Sequence, residues 1–234
     1  DLRKLAQESG RSPADLTVPI ATRVGRIGGL VCEDAWDADY GFSPARVLAA
    51  RGADLLVNIS SSPYTFNKNR KRNRLFSTLA ADVDKPVVYV NAVGLQNSGK
   101  TAFVFDGGSA IYGPGGRLAA GPAPFQEGVA LVETPLRPDA GFGRPLEERS
   151  EGIADLFDAL ADGTRRFMAL CGVSRVVVGV SGGIDSAVAA ALYRRLLPPA
   201  DLLLVNMPGP FTSARTRALA RDLAAAPEGP LKAA

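Results

Sequence analysis

Val177-Val178-Gly179-Val180-Ser181-Gly182-Gly183-Ile184-Asp185-Ser186 carries an apolar strand into a Ser/Gly turn, and the turn opens onto a helix predicted over Ala187 to Leu197. That order of elements builds an anion site. Gly182 and Gly183 let backbone N–H groups approach a phosphate closely, the new helix presents its unpaired amides and the positive end of its dipole, and Ser181 and Ser186 add hydroxyl donors. Asp185 beside a bound polyphosphate would be repelled unless a divalent cation bridged the two, and Mg²⁺ accepts one or two carboxylates plus phosphate oxygens. No lysine follows the glycines, so the spacing is not that of a Walker loop. The alternative reading is a strand-to-helix turn in which Asp185 only matches the helix dipole.

Around this unit the sequence predicts a helix from about Glu151 to Leu170, a strand at Leu202 to Asn206 and a helix over Ser213 to Ala225. Together they read as a βαβα segment of a doubly wound parallel sheet, with the phosphate loop at a strand's carboxyl end. The tail from Ala224 to Ala234 reads as frayed. Upstream, Pro135, Pro138, Gly141, Gly143 and Pro145 mark a domain boundary.

The first part alternates strands and helices. Strands are predicted at Arg26 to Val31, Asp54 to Ile59, Pro86 to Val90, Ser109 to Tyr112 and Gly128 to Glu133, and helices at Ser43 to Arg51 and Arg72 to Asp82. Asp1 to Glu8 reads as a further helix whose Lys4 and Glu8 are solvated.

At 234 residues and 46% hydrophobic, the chain is long enough for one large or two modest domains. Its net charge of +3 says little about partners. The basic run Lys68-Asn69-Arg70-Lys71-Arg72-Asn73-Arg74 is short and lacks interleaved aromatics, so it reads as a solvated helix start and not as a nucleic-acid surface. No apolar run reaches the ~20 residues of a membrane span, and Asp1-Leu2-Arg3-Lys4 is no signal peptide, so a cytoplasmic, membrane-free protein is expected. The two cysteines, Cys32 and Cys171, have neither metal-site spacing nor a disulfide framework. There is no histidine, which removes Ser-His-Asp and Cys-His catalysis and imidazole metal sites together.

Gly28-Gly29-Leu30-Val31-Cys32-Glu33-Asp34-Ala35-Trp36 places a cysteine where an apolar strand stops and acidic residues begin, the position at which α/β folds put chemistry. A lone cysteine is also commonly a small buried hydrophobe. Further on come Val57-Asn58-Ile59-Ser60-Ser61-Ser62-Pro63-Tyr64, then Tyr89-Val90-Asn91 opening a polar loop, then Phe105-Asp106-Gly107-Gly108-Ser109.

These segments resemble the nitrilase, or carbon–nitrogen hydrolase, superfamily, and in particular the glutaminase domain of glutamine-dependent NAD⁺ synthetases. The S-G-G-x-D-S stretch resembles the pyrophosphate loop of the ATP pyrophosphatases. The resemblance implies an α/β chain: a partial nitrilase-like αββα sandwich followed by the first part of a doubly wound, Rossmann-like sheet of the adenine nucleotide alpha hydrolase type. It divides the chain into a glutaminase domain (1–134), a linker (135–150) and an ATP-pyrophosphatase domain (151–234). It implies Cys32 as nucleophile within a Glu-Lys-Cys triad, and the backbone N–H of Glu33 as an oxyanion donor. It also implies Glu33, Ser60 and Ser62 as glutamine-binding residues, although turn-capping serines and an ordinary surface acid fit the same positions. On the nucleotide side it implies Gly179, Ser181, Gly182, Gly183, Asp185, Ser186 and Met207 as ATP contacts, with Asp185 on Mg²⁺. The substrates implied are glutamine, ATP and nicotinic acid adenine dinucleotide, in a homo-oligomeric full-length enzyme.

Only 31 residues precede Cys32, and nothing near Lys4 resembles the segments that carry the family's glutamate and lysine. The reading is of an internal piece of a longer enzyme, expected to be inactive alone. Two alternatives stay open: another glutamine-dependent adenylating ligase, or a non-catalytic nucleotide-binding or subunit-interaction fragment.

Overall fold

The computed structural model describes residues 2–137, 139, 141–146, 151–226 and 232–233, which fall into two compact units, Asp1–Gly152 and Ile153–Ala234. The first unit runs α1 (Leu2–Ser9), α2 (Pro13–Leu16), β1 (Ile20–Thr22), β2 (Gly25–Val31), α3 (Pro44–Ala50), β3 (Leu55–Ser60), α4 (Lys68–Val83), β4 (Val87–Asn91), β5 (Val93–Asn97), β6 (Ala102–Asp106), β7 (Ala110–Tyr112) and β8 (Leu118–Ala120).

Six strands form one sheet in the order β1-β2-β3-β4-β7-β8. β2, β3 and β4 are parallel, while β1, β7 and β8 join antiparallel. The register sets Leu30 beside Asn58 and Asn58 beside Tyr89, so the carboxyl ends of the three parallel strands share one edge. β5 and β6 pair as a separate antiparallel hairpin.

One face of the sheet is covered by α3 and α4. Leu30, Leu56, Val87 and Tyr112 meet Leu48 of α3 and Phe76 of α4, all with 2% exposure or less. Phe76 lies 4.5 Å from the Tyr89 ring and 5.8 Å from that of Tyr112, centroid to centroid. Burying a side chain of that size stabilises the fold by roughly 1.5–3 kcal/mol. On the opposite face Val31, Ile59 and Val90 stay exposed at 69, 61 and 44%.

Local signals placed α3 well: the Ser43 hydroxyl caps it by accepting from Arg46 N at 3.4 Å, and Pro44 occupies its first turn. α1 forms as expected, with Lys4 and Glu8 both exposed and 3.9 Å apart.

Other expectations need correction. Gly128–Glu133 is not a strand: Val129 and Leu131 are over 90% exposed, and an apolar alternation without a neighbouring ladder has nothing to pair with. The stretch after Asn91, expected as a polar loop, starts β5 at Val93. α4 begins at Lys68 rather than Arg72, and its basic run is not uniformly solvated, because Arg72 is fully buried. The expected linker falls partly outside the described residues, at 138, 140 and 147–150. So does the expected frayed tail, at 227–231 and 234. Within the described part, Ala224 is buried in the last helix and residues 232–233 form a strand, so these residues are not frayed.

The second unit runs α5 (Ile153–Cys171), β9 (Val176–Gly179), α6 (Ile184–Leu196), β10 (Leu202–Val205), α7 (Ala214–Ala225) and β11 (Lys232–Ala233). Its sheet is parallel, in the order β11-β10-β9. Val178, Val180, Leu202 and Leu204 pack against Ala190 of α6 and Ala220 of α7. α6 starts three residues earlier than its sequence pattern predicts, so Asp185 lies inside its first turn.

Candidate active site

The shared edge of β2, β3 and β4 gathers polar groups above the apolar core. Cys32 follows β2 and opens a short 3₁₀ turn, Cys32–Ala35, with φ +44°, a left-handed conformation unusual for a residue with a Cβ. It is half-buried, with Glu33 exposed beside it.

Ser60 and Ser62 lie at the end of β3, both buried. The Ser60 hydroxyl donates to Asn58 Oδ1 at 2.6 Å, and Asn58 Nδ2 donates to the Cys32 carbonyl at 3.3 Å. Ser62 is fastened through its backbone. Asn91 Oδ1 accepts from Ser62 N at 2.8 Å, and Asn91 Nδ2 donates to Ser62 O at 3.1 Å and to Gly107 O at 2.9 Å. Arg72 Nη1 donates to that same Gly107 carbonyl at 3.2 Å and to Asp106 Oδ2 at 3.0 Å. The C-terminal Asn of the Tyr89-Val90-Asn91 segment is thus a strut between two loops.

Sequence reasoning missed Lys68. It sits in the first turn of α4, half-buried, and donates to the Pro63 carbonyl at 3.0 Å. Burial lowers its pKa below the ordinary lysine value and the Arg72 cation pushes the same way, while Cys32, Asp106 and Glu33 act in opposition. Its ammonium therefore lies within electrostatic reach of both Cys32 and Glu33. Tyr89, buried beside Ser60 and Ser62, has its pKa raised by burial against the opposing charge of Arg72.

One signal could have exposed this network. Asn58 and Ser60 lie on the strand face that also carries Leu56, and polar groups on a core face need a reason.

In the second unit, the loop after β9 is closed by its own hydroxyls. Ser186 Oγ accepts from Ser181 N at 3.2 Å and donates to Gly183 O at 3.0 Å, and Ser181 Oγ accepts from Gly183 N at 3.2 Å. Gly182 has φ +89°, and a Cβ there would collide with the Thr216 carbonyl. Gly183 is different: its φ is −90°, and a Cβ would meet only Ser181 Oγ, at 3.4 Å. Gly179, Ser181 and Met207 border a cleft of about 270 Å³. Asp185 is exposed, and among the described residues no group of three or more His, Cys, Asp or Glu side chains converges. Asp185 suits a cation that draws its other ligands from phosphate and water, which is the habit of Mg²⁺.

The first unit offers a thiol at the carboxyl end of a strand with a cation and a carboxylate nearby, and the second offers a helix start behind a Ser/Gly turn. Among the described residues no helix is long and apolar enough to cross a membrane.

Comparison with known proteins agrees with both halves. The carbon–nitrogen hydrolase family model matches residues 3–137, and the NAD synthase model matches residues 156–228. A glutamine-dependent NAD(+) synthetase of Synechocystis sp. is 33% identical over 80% of this chain and 34% of its own length. The Rhodobacter capsulatus enzyme of the same name is 33% identical over 85% and 35%. The chain thus spans about a third of the length of these relatives. The solved structure of a glutamine-dependent NAD+ synthetase from Acinetobacter baumannii, in complex with ADP, superposes with a TM-score of 0.72 at 25% identity, covering 92% of this chain and 40% of that one. A Cytophaga hutchinsonii enzyme of that name shares the fold, with a TM-score of 0.69 at 19% identity over 92% and 39%. With its first unit matched over more than half the chain and an NAD synthase segment behind it, the chain belongs to the carbon–nitrogen hydrolase family.

Proposed function

We propose that this chain carries the cysteine amidase centre and the ATP-binding loop of glutamine-dependent NAD⁺ synthesis, in a glutaminase domain (1–134), a linker (135–150) and an ATP-pyrophosphatase domain (151–234). The observation that carries the reading is the left-handed turn at Cys32, at the strand ends that lead to Ser60 and Ser62, with the Lys68 charge in electrostatic reach and an S-G-G-x-D-S helix start on the same chain.

In this reading the Cys32 thiolate adds to the side-chain amide carbon of glutamine, and the backbone N–H of Glu33 steadies the oxyanion. Collapse breaks the C–N bond, the nitrogen takes up the proton that the Cys32 thiol gave up and leaves as ammonia, and water then hydrolyses the thioester to glutamate and restores the thiol. Glu33, Ser60, Ser62 and Lys68 are the residues that hold glutamine, with Lys68 suited to its α-carboxylate. The carboxylate of nicotinic acid adenine dinucleotide attacks the α-phosphate of ATP, pyrophosphate departs, and ammonia displaces AMP to leave the amide. Gly179, Ser181, Gly182, Gly183, Ser186 and Met207 contact the nucleotide. Asp185 would hold a Mg²⁺ ion, which neutralises phosphate charge when bound. The setting is cytoplasmic, and the working enzyme is a homo-oligomer. No residue of this chain is assigned as the triad's glutamate or lysine.

The test uses a glutamine analogue with a chloroketone in place of the amide. It should label Cys32, glutamine should protect, and Cys32→Ala should abolish labelling. Equal labelling of Cys32 and Cys171, unaffected by glutamine, would overturn the reading.

A further inference from the structure

A left-handed backbone at a residue with a Cβ persists only where its surroundings hold it. At Cys32 two side chains do so. On the near side, Asp34 Oδ2 accepts the Val31 N–H at 2.8 Å. On the far side, Asn58 reaches across from β3 and donates Nδ2 to the Cys32 carbonyl at 3.3 Å. Asn58 has no exposed surface. An amide in that position, among apolar neighbours, is retained at a cost unless every polar atom is satisfied.

The hydrogen-bonding chemistry leaves a single arrangement. The Cys32 carbonyl can only accept, so Asn58 must present its nitrogen there. Its oxygen then faces Ser60, whose hydroxyl donates at 2.6 Å. The Cys32 carbonyl thereby fixes which way the Asn58 amide points, and the Ser60 hydroxyl braces the amide from its oxygen side. Parallel register makes the reach possible: Asn58 lies beside Leu30, and Cys32 follows two residues later, just past the end of β2.

We propose that Asn58, braced by Ser60, is the positioning residue that holds Cys32 in its left-handed turn and so presents its sulfur at the open end of the parallel strands. The proposal rests on Cys32 being the reactive thiol. It assigns the Ser60 hydrogen an inward task, toward Asn58.

The test is the alkylation rate of the two cysteines of the 234-residue chain by iodoacetamide, followed by mass spectrometry. Exposed Cys171, in the other unit, serves as internal reference. Asn58→Ala and Ser60→Ala should each slow Cys32 relative to Cys171 by about fivefold, the worth of roughly one hydrogen bond. Asn58→Asp should slow it as much, because a carboxylate oxygen would face a carbonyl oxygen. The Asn58→Ala/Ser60→Ala double variant should be no slower than Asn58→Ala, since Ser60 acts through Asn58. A merely structural role predicts the opposite sign, because a loosened fold exposes the thiol and speeds its reaction. Unchanged or faster alkylation of Cys32 in folded Ser60→Ala or Asn58→Asp protein overturns the proposal, including the case in which Asn58→Ala does not fold. Iodoacetamide carries none of glutamine's α-carbon groups, so this result is independent of labelling by the chloroketone analogue.

Discussion

Arg72 and Asp106, 34 residues apart, form a two-pronged ion pair sealed from water: Nη1 meets Oδ2 at 3.0 Å and Nη2 meets Oδ1 at 3.2 Å, with side-chain exposures of 1% and 4%. The guanidinium also lies 5.2 Å from the Tyr89 ring centroid. Burial disfavours its charge, yet the hydrogen bonds and charge of Asp106 outweigh burial and hold the Arg72 pKa above the usual arginine value. Breaking such a pair leaves one charge stranded. Arg72→Met is expected to destabilise the first unit by about 3–5 kcal/mol, and Arg72→Met with Asp106→Leu by much less. A double-mutant cycle in urea measures the coupling, and additive losses would count against the pair.

Alkaline pH should unfold the first unit through its buried tyrosines. Burial raises the pKa of both Tyr89 and Tyr112 above the ordinary value near 10. The folded state keeps these protons after the unfolded chain has released them, so stability is intact below pH ~10 and falls as pH rises beyond it. Lys68, with its lowered pKa, has the opposite slope just below its ordinary range. Urea titrations at pH 8 and 10.5 should show the fall, and Tyr89→Phe with Tyr112→Phe should flatten it. A fall of the same size in the Phe variants would sink the assignment.

The two glycines of the phosphate loop should separate stability from binding. Gly182→Ala places a Cβ at φ +89° and against the Thr216 carbonyl, so it should destabilise the second unit by at least about 1–3 kcal/mol. Gly183→Val meets little and should melt near the parent, yet weaken Mg²⁺-pyrophosphate binding by crowding the turn where phosphate approaches. Thermal melts with calorimetry distinguish the two. Undiminished binding by Gly183→Val would remove the loop from the proposed site.

The uncovered face of the six-stranded sheet should drive association. Val31, Ile59 and Val90 lie on adjacent parallel strands, all pointing away from α3 and α4. Sedimentation of the 234-residue chain is expected to show concentration-dependent oligomers. Ile59→Lys with Val90→Lys should shift them toward monomer. A parent chain that stays monomeric across the concentration range would refute this.

Much of the architecture was readable because its causes are local. Ser43 and Pro44 specify the start of α3 within four residues, and Ser213 caps α7 by accepting from Thr216 N at 3.1 Å. Cys32 was legible as the residue that ends β2 because the change from apolar to acidic residues marks that point. The Ser181-to-Ser186 loop was legible because strand, turn and helix are consecutive, so its hydroxyl contacts span only two to five residues.

What only tertiary structure decided depends on partners far apart in the chain. Lys68-to-Arg74 reads as a uniform basic surface, and nothing local says that Arg72 is swallowed by Asp106 while Lys71 stays exposed. Gly128–Glu133 has strand-like alternation, but a strand exists only through a neighbouring ladder. Lys68 comes within reach of Cys32, and Asn58 grips the Cys32 carbonyl 26 residues away, only because the parallel register aligns the ends of β2 and β3. Sequence therefore determined α3, α7 and the position of the two candidate loops, since backbone preference and capping act over a few residues. The tertiary structure decided which charge is buried and which amide holds the cysteine, since both depend on strand pairing that closes long loops.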